Sequence, residues 1–320
     1  GWRKTRLRWL NSTLGNADEP TAPYTPVSLH GHTLSWLGGE MTLSPYGLPA
    51  SVTTRYDANN GLDTSGSEKI ANPVLAREMR FVIETEEGEE TLIPGRLRVT
   101  GQNNASISWE TTQKSKNFTV TCQGSFGFDG IGNFRLQVKP RREIHVKDIR
   151  LEAPYTAYAS RYMMGLGHKG GFRPEDPILW QWDTNRHQDK IWMGNVNAGM
   201  TLHFMDEQYT RPLVNIYYAL GKIHLPASWG NDNKGGIRIA PGQNGETLLT
   251  AYSGERTLRA GDTLHYYFDM QVTPVKPVNL RLQAEERFYH SNSDVSAAYL
   301  PAAQKAGATQ INIHHKKDIY

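Results

Sequence analysis

The chain has 320 residues, a formal net charge of +3, 38% apolar residues and 21% charged residues. This balance excludes a disordered acidic or basic tail and supplies no strong electrostatic draw for duplex nucleic acid, so no nucleic-acid partner is expected. Its single cysteine, Cys122, excludes an intrachain disulfide and a cysteine-based zinc site, and no apolar run approaches the ~20 residues of a transmembrane helix.

The opening WRKTRLRW is basic, but no long apolar run follows it, so it does not read as a signal peptide. Asn11, Asn104 and Asn117 head matches to the N-glycosylation triplet, as many as chance supplies in a polar chain of this length. His30 and His32 flank a glycine. The pair suits a metal on one strand face but lacks an identifiable third ligand, and it equally suits a turn. DANNGLD (Asp57–Asp63) has a calcium-loop composition without the EF-hand spacing or closing Glu, and reads as a turn. No metal or cofactor is predicted.

Period-two alternation then dominates. MRFVIET (Met79–Thr85), ASISWETT (Ala105–Thr112), NFTVTCQGSF (Asn117–Phe126) and NFRLQVKP (Asn133–Pro140) place apolar side chains on one face, as half-buried strands require. EIHVKDIRLEAPY, GMTLHFMDE, LVNIYYAL, GGIRIAP, ETLLTAYSGERTL and TLHYYFDMQVTPV continue the pattern, with turn residues between the runs. No amphipathic helix is expected before about residue 292. The fold class is all-β, a large antiparallel sandwich of two curved sheets over residues 1–290.

Within this region, GLGHKGG lacks the ending of a phosphate loop and reads as a sharp turn, and FRPEDP as a rigid loop. Trp180, Trp182 and Trp192 follow. On a strand Trp180 and Trp182 share a face and could stack on a sugar ring, with Asp183, Arg186, His187 and Asp189 binding hydroxyls. They could instead be core anchors or pack against a neighbouring domain, because tryptophan is usually well buried. Asp183 with Asp189, or Glu175 with Asp176, could form a hydrolase pair, although acidic residues in turns more often cap the loop.

The pattern changes across PVKPVNLRLQAEERFYHSNSD. SNSD offers helix N-caps, and VSAAYLPAAQKAGA reads as a helix with Val295, Ala298 and Ala302 roughly on one face. Pro301 shortens the helix or marks its start, and Gly307 ends it. TQINIHH (Thr309–His315) is a short strand. Helix then strand predicts that residues 291–320 are a linker and the start of a second, truncated α/β domain. If that domain is a (β/α)8 barrel, His314 and His315 lie at the strand end where barrels place substrate contacts; otherwise they are ordinary loop histidines.

RLRWLNSTLG, APYTPVSLHGHTLSWLGGEMTLSPYGLP, MGLGHKGGFRPEDPILWQWD through QDKIWMGNVNAGM, and AGATQINIHH occur in this order. Together they resemble the N-terminal domain and first barrel strand of glycoside hydrolase family 123-like proteins. The resemblance implies a sandwich leading into a barrel that hydrolyses β-linked N-acetylgalactosamine by substrate-assisted catalysis. An Asp there orients the 2-acetamido group and a Glu is general acid/base, an exception to the usual carboxylate nucleophile. That acidic pair belongs to a later barrel strand, so no catalytic residue is carried onto this chain. The expected role is a non-catalytic domain, inactive alone, that braces the missing barrel and lines part of the cleft for a glycan substrate. Its expected location is periplasmic or extracellular, with lipoprotein anchoring compatible. The alternatives are a stand-alone carbohydrate-binding module using the stretch 180–192, and a complete enzyme centred between Gly165 and Asn195.

Overall fold

Alternation becomes sheet wherever its apolar face finds a partner. The computed structural model describes residues 11–62, 70–182, 190–207, 225–291 and 299–313. It divides into two compact units, Gly1–Lys276 and Pro277–Tyr320. The predicted strand LVNIYYAL lies outside the described residues.

Among the described residues, the first unit holds three antiparallel sheets. The largest has ten strands. Its central run is Lys190–Asn195, Ala198–Met205, Leu264–Thr273, Ile131–Pro140, Phe118–Gly127 and Ser106–Lys114, in that spatial order. The hairpin Tyr162–Gly165/His168–Phe172 forms one edge, and Arg98–Gln102 and Ile93–Pro94 pair along the other side. The strand Phe118–Gly127 shows why the sheet forms. Phe118, Val120, Cys122 and Phe126 are buried, while Thr119, Thr121, Gln123 and Ser125 point the opposite way.

A seven-stranded sheet covers part of the inner face. It is built around Ile144–Tyr155, Thr247–Tyr252, Gly236–Pro241 and Arg80–Thr85. Phe81 meets Tyr266 edge-on at 5.4 Å, and the Tyr155 hydroxyl donates to the Met200 carbonyl at 3.2 Å. A five-stranded sheet, Ser28–Pro73 in extent, covers another part, with Trp36 against Phe126 at 4.5 Å. Between the layers Phe134 stacks on Phe268 at 4.7 Å, and such a pair contributes about 0.5–1.5 kcal/mol beyond its buried area. The expected two-sheet sandwich therefore carries a third sheet.

ETLLTAYSGERTL, expected as one run, is two strands, Thr247–Tyr252 and Arg256–Leu258. The break is held by the Asp148 carboxylate, which accepts from the Ser253 and Gly254 amides at 3.1 and 2.8 Å. On the outer face of this sheet Arg150 reaches Glu84, Glu89 and Glu152 at 2.6, 2.8 and 3.0 Å.

The second unit adds two features that periodicity does not show. A helix does precede residue 292, at Leu280–Glu285, where the Asn279 side chain accepts from the Leu282 amide at 2.9 Å. It has six residues and buries none of them, so it is too short to show an amphipathic period. The strand Gln310–Ile313 is not isolated. It pairs in parallel with Phe288–Ser291, and the helix Tyr299–Lys305 lies in the connection. Parallel neighbours need such a crossover, so this segment is a βαβ arrangement. Among the described residues the first unit holds one α-helical turn, Ala227–Gly230, and short 3₁₀ turns such as Tyr158–Ser160. No helix of the described residues is long and apolar enough to cross a membrane.

Candidate functional site

The tryptophans divide between the core and the surface. Trp180, on the strand Ile178–Gln181, is 6% exposed, and Trp182, just past its end, is 4% exposed. Their rings meet edge-on at 4.9 Å within the core. They share a face, as the spacing predicts, but it is the inward one, so neither offers a ring to a sugar. Asp183, Arg186, His187 and Asp189, and His314 and His315, lie outside the described residues. Glu175 and Asp176 are exposed in the loop after Phe172. Arg173 holds that loop by donating to the Ser160 and Pro174 carbonyls at 3.0 and 2.8 Å.

The other singled-out motifs are turns. GLGHKGG forms the edge hairpin of the large sheet, with positive φ at Leu166 and Gly167 as a tight two-residue connection requires. His30 pairs with Thr33, so HGH is the turn between two strands. The Asp57 carboxylate accepts from the Asn59 and Gly61 amides at 2.7 and 2.8 Å, closing residues 57–61 of DANNGLD into a turn, with Asp63 outside the described residues. Among the described residues, no group of three or more His, Cys, Asp or Glu side chains could hold a metal. Burial pushes the Cys122 thiol up to about 12, which leaves it a core residue rather than a nucleophile.

Trp192 is different. It lies on Lys190–Asn195 and points to the outward face, between buried Ile191 and Met193. Its indole lies down over Gly194, where a Cβ would stand 2.4 Å from Trp192 Cζ2. Its Nε1 donates to Thr273 Oγ1 at 2.9 Å, which fixes the ring. One indole face therefore rests on the strand and the other turns away from it. Met164 stands opposite Trp192 on the inner strand of the edge hairpin, Tyr162–Gly165, and is 53% exposed. Tyr162 shares that face and packs against Phe172 at 5.0 Å, with the Arg161 guanidinium over both rings.

Beside this aromatic end runs a polar row. Register sets Lys190 opposite His203, His203 opposite Asp269, and Asp269 opposite Asn133. Ser125 and Ser108 continue the row. Directly opposed residues share a face, so these six side chains form one polar rung across the sheet. The neighbouring rung carries Tyr267, Arg135, Gln123 and Glu110. The Arg135 guanidinium sits over the Tyr267 ring at 5.5 Å, and the Tyr267 hydroxyl meets His265 Nδ1 at 2.9 Å. Arg98 and Gln123 hold Glu110 at 3.2 and 2.8 Å. A depression of 480 Å³ opens between Ser108, Ser125, Asn133 and Arg135. Burial raises the Asp269 carboxyl above its ordinary range, against the pull of His203, Lys190 and Arg135.

An aromatic ring flanked by fixed donors and acceptors binds hydroxyl-rich molecules, because the ring covers apolar C–H groups while the polar side chains orient the ligand. Of these residues, Trp192 was anticipated, whereas His203, Asp269, Asn133, Arg135 and Tyr267 were not. The signal present was local. His265, Tyr267, Asp269 and Gln271 occupy the alternate, outward positions of LHYYFDMQVT.

The family described as "Glycoside hydrolase 123, third domain" matches residues 27–274. Comparison with curated proteins returned no match. Among solved structures, a GalM/aldose epimerase homologue from C. elegans is 8% identical with a TM-score of 0.40, covering 80% of this chain and 99% of its own. A candidate mutarotase from Salmonella typhimurium is 7% identical with a TM-score of 0.40, covering 79% and 95%. A candidate aldose 1-epimerase from Escherichia coli K12 is 8% identical with a TM-score of 0.37, covering 78% and 98%. At these scores nothing about this chain's chemistry follows from them. The family match spans nearly all of the first unit and includes every sheet-face residue named above, and the chain belongs to the glycoside hydrolase 123 family through this third domain.

Proposed function

We propose that this chain is a non-catalytic domain of a glycoside hydrolase and that it contacts the glycan through the outward face of its large sheet. The observation that carries the glycan contact is Trp192, laid flat over Gly194 beside the Lys190–His203–Asp269 row. The family match supports the hydrolase context. The parallel Phe288–Ser291/Gln310–Ile313 pair supports a following α/β barrel as the seat of chemistry. β-Linked N-acetylgalactosaminides are the substrate class that the family resemblance implies.

A paired assay on an aryl β-N-acetylgalactosaminide tests this, using the chain and the longer protein read through from the same locus. Turnover by the longer protein alone is expected. Turnover by this chain overturns the non-catalytic reading. A second reading, a self-sufficient carbohydrate-binding module, draws on the same Trp192 geometry with Trp180 and Trp182 removed from the platform. Tight glycan binding by this chain, unchanged in the longer protein, favours it.

A further inference from the structure

The outward face is longer than one sugar. The rung from Lys190 to Ser108 crosses six strands, and the ~4.8 Å spacing between neighbouring strands makes it up to ~24 Å long. Trp192 and Met164 stand at one end, and the 480 Å³ depression bounded by Ser108 and Arg135 lies at the other. A single pyranose cannot engage both ends.

Resting on the glycan reading above, we infer that this face binds an uncharged oligosaccharide of several residues laid across the strands, with one ring stacked on Trp192 and the chain running along the polar rung toward Ser108. The order of charges selects the class. Lys190 and Asp269 on the rung, and Arg135 and Glu110 on the neighbouring one, alternate in sign along the face, so a polyanion meets the two carboxylates and a polycation meets the two bases. Hydroxyl and acetamido groups suit both signs, because each donates and accepts. A protein partner fits less well, since interface centres are depleted in Lys, Asp and Ser, the residue types that line the middle of this face.

The test is calorimetric titration of the full chain with β-linked N-acetylglucosamine oligomers of increasing length and their N-acetylgalactosamine counterparts, with a heparin fragment as polyanion. Affinity is expected to rise at least ~10-fold from the monosaccharide to the tetrasaccharide and then level off. Trp192→Ala is expected to weaken every length. Arg135→Gln, at an exposed position, is expected to weaken only the long chains. Asp269→Asn keeps the side-chain shape and guards against loss of fold, which circular dichroism checks for each variant.

Affinity independent of length overturns the extended-chain inference while the glycan reading stands. Heparin bound more tightly than the neutral oligomers overturns the uncharged class. No saccharide bound at any length overturns both the inference and the reading beneath it.

Discussion

Replacing Gly194 with alanine couples the fold to the site. The new Cβ would lie 2.4 Å from Trp192 Cζ2 and 2.9 Å from the Gly199 Cα, well inside the ~3.5–4.0 Å of favourable carbon contact. The indole must lift to clear the first contact, while the Gly199 contact strains the strand pair whatever residue stands at position 192. Overpacking of this kind costs about 1–3 kcal/mol, and losing the Trp192–Thr273 hydrogen bond adds about 1 kcal/mol. The total of about 2–4 kcal/mol corresponds to a fall in melting temperature of roughly 5–10 °C for a domain of this size. Glycan binding should fall with it, because the platform is displaced. Thermal and urea unfolding of Gly194→Ala, Trp192→Ala and the double variant measure the effect. Trp192→Ala removes the clashing ring, so the two changes should be non-additive by about 1–2 kcal/mol. Strict additivity would mean that the indole does not lie over Gly194, and the platform geometry would be wrong.

Arg150→Ala should destabilise the first unit by about 1–3 kcal/mol in urea unfolding at neutral pH, because Glu84 loses this cation while the buried Glu152 and the exposed Glu89 keep only Arg80. The loss should shrink in high salt, which screens the exposed pairs, and a loss independent of ionic strength would count against the network. Because burial raises the Asp269 carboxyl, the folded state binds its proton more tightly than the unfolded chain. Stability from this group is full below the unfolded value near ~4 and is lost as pH rises through the raised folded value. Asp269→Asn should therefore gain on the wild type in unfolding titrations as pH rises through that window, and parallel profiles would refute the assignment. The Cys122 thiol, buried and pushed up to about 12, should resist thiol reagents in the native protein and react on unfolding; native labelling at the rate of a free thiol would contradict its burial.

The strands were the most legible part of the molecule. In Phe118–Gly127 and Ile131–Pro140 the alternation of residue types is itself the burial pattern, because side chains on a pleated strand must alternate faces. The helix Leu280–Glu285 and the strand Phe288–Ser291 escaped notice because each is too short for a period to accumulate. Asn279 and the parallel partner hold them instead, and a periodicity argument sees neither.

The tryptophans mark where local pattern stops. Trp180 and Trp192 both sit on short strands among alternating neighbours, yet one is core and the other surface. Alternation says which residues share a face and leaves open which face the second layer will cover. The amino-acid sequence by itself determined the all-β class, most strand positions and the family. The tertiary structure alone decided the candidate site. Lys190, His203, Asp269 and Asn133 come from four strands, and only backbone pairing between segments remote in the chain sets them in one row. Such register is chosen by the hydrogen bonds and packing of the whole sheet, and a shift of one residue would turn a strand's outward side chains toward the core.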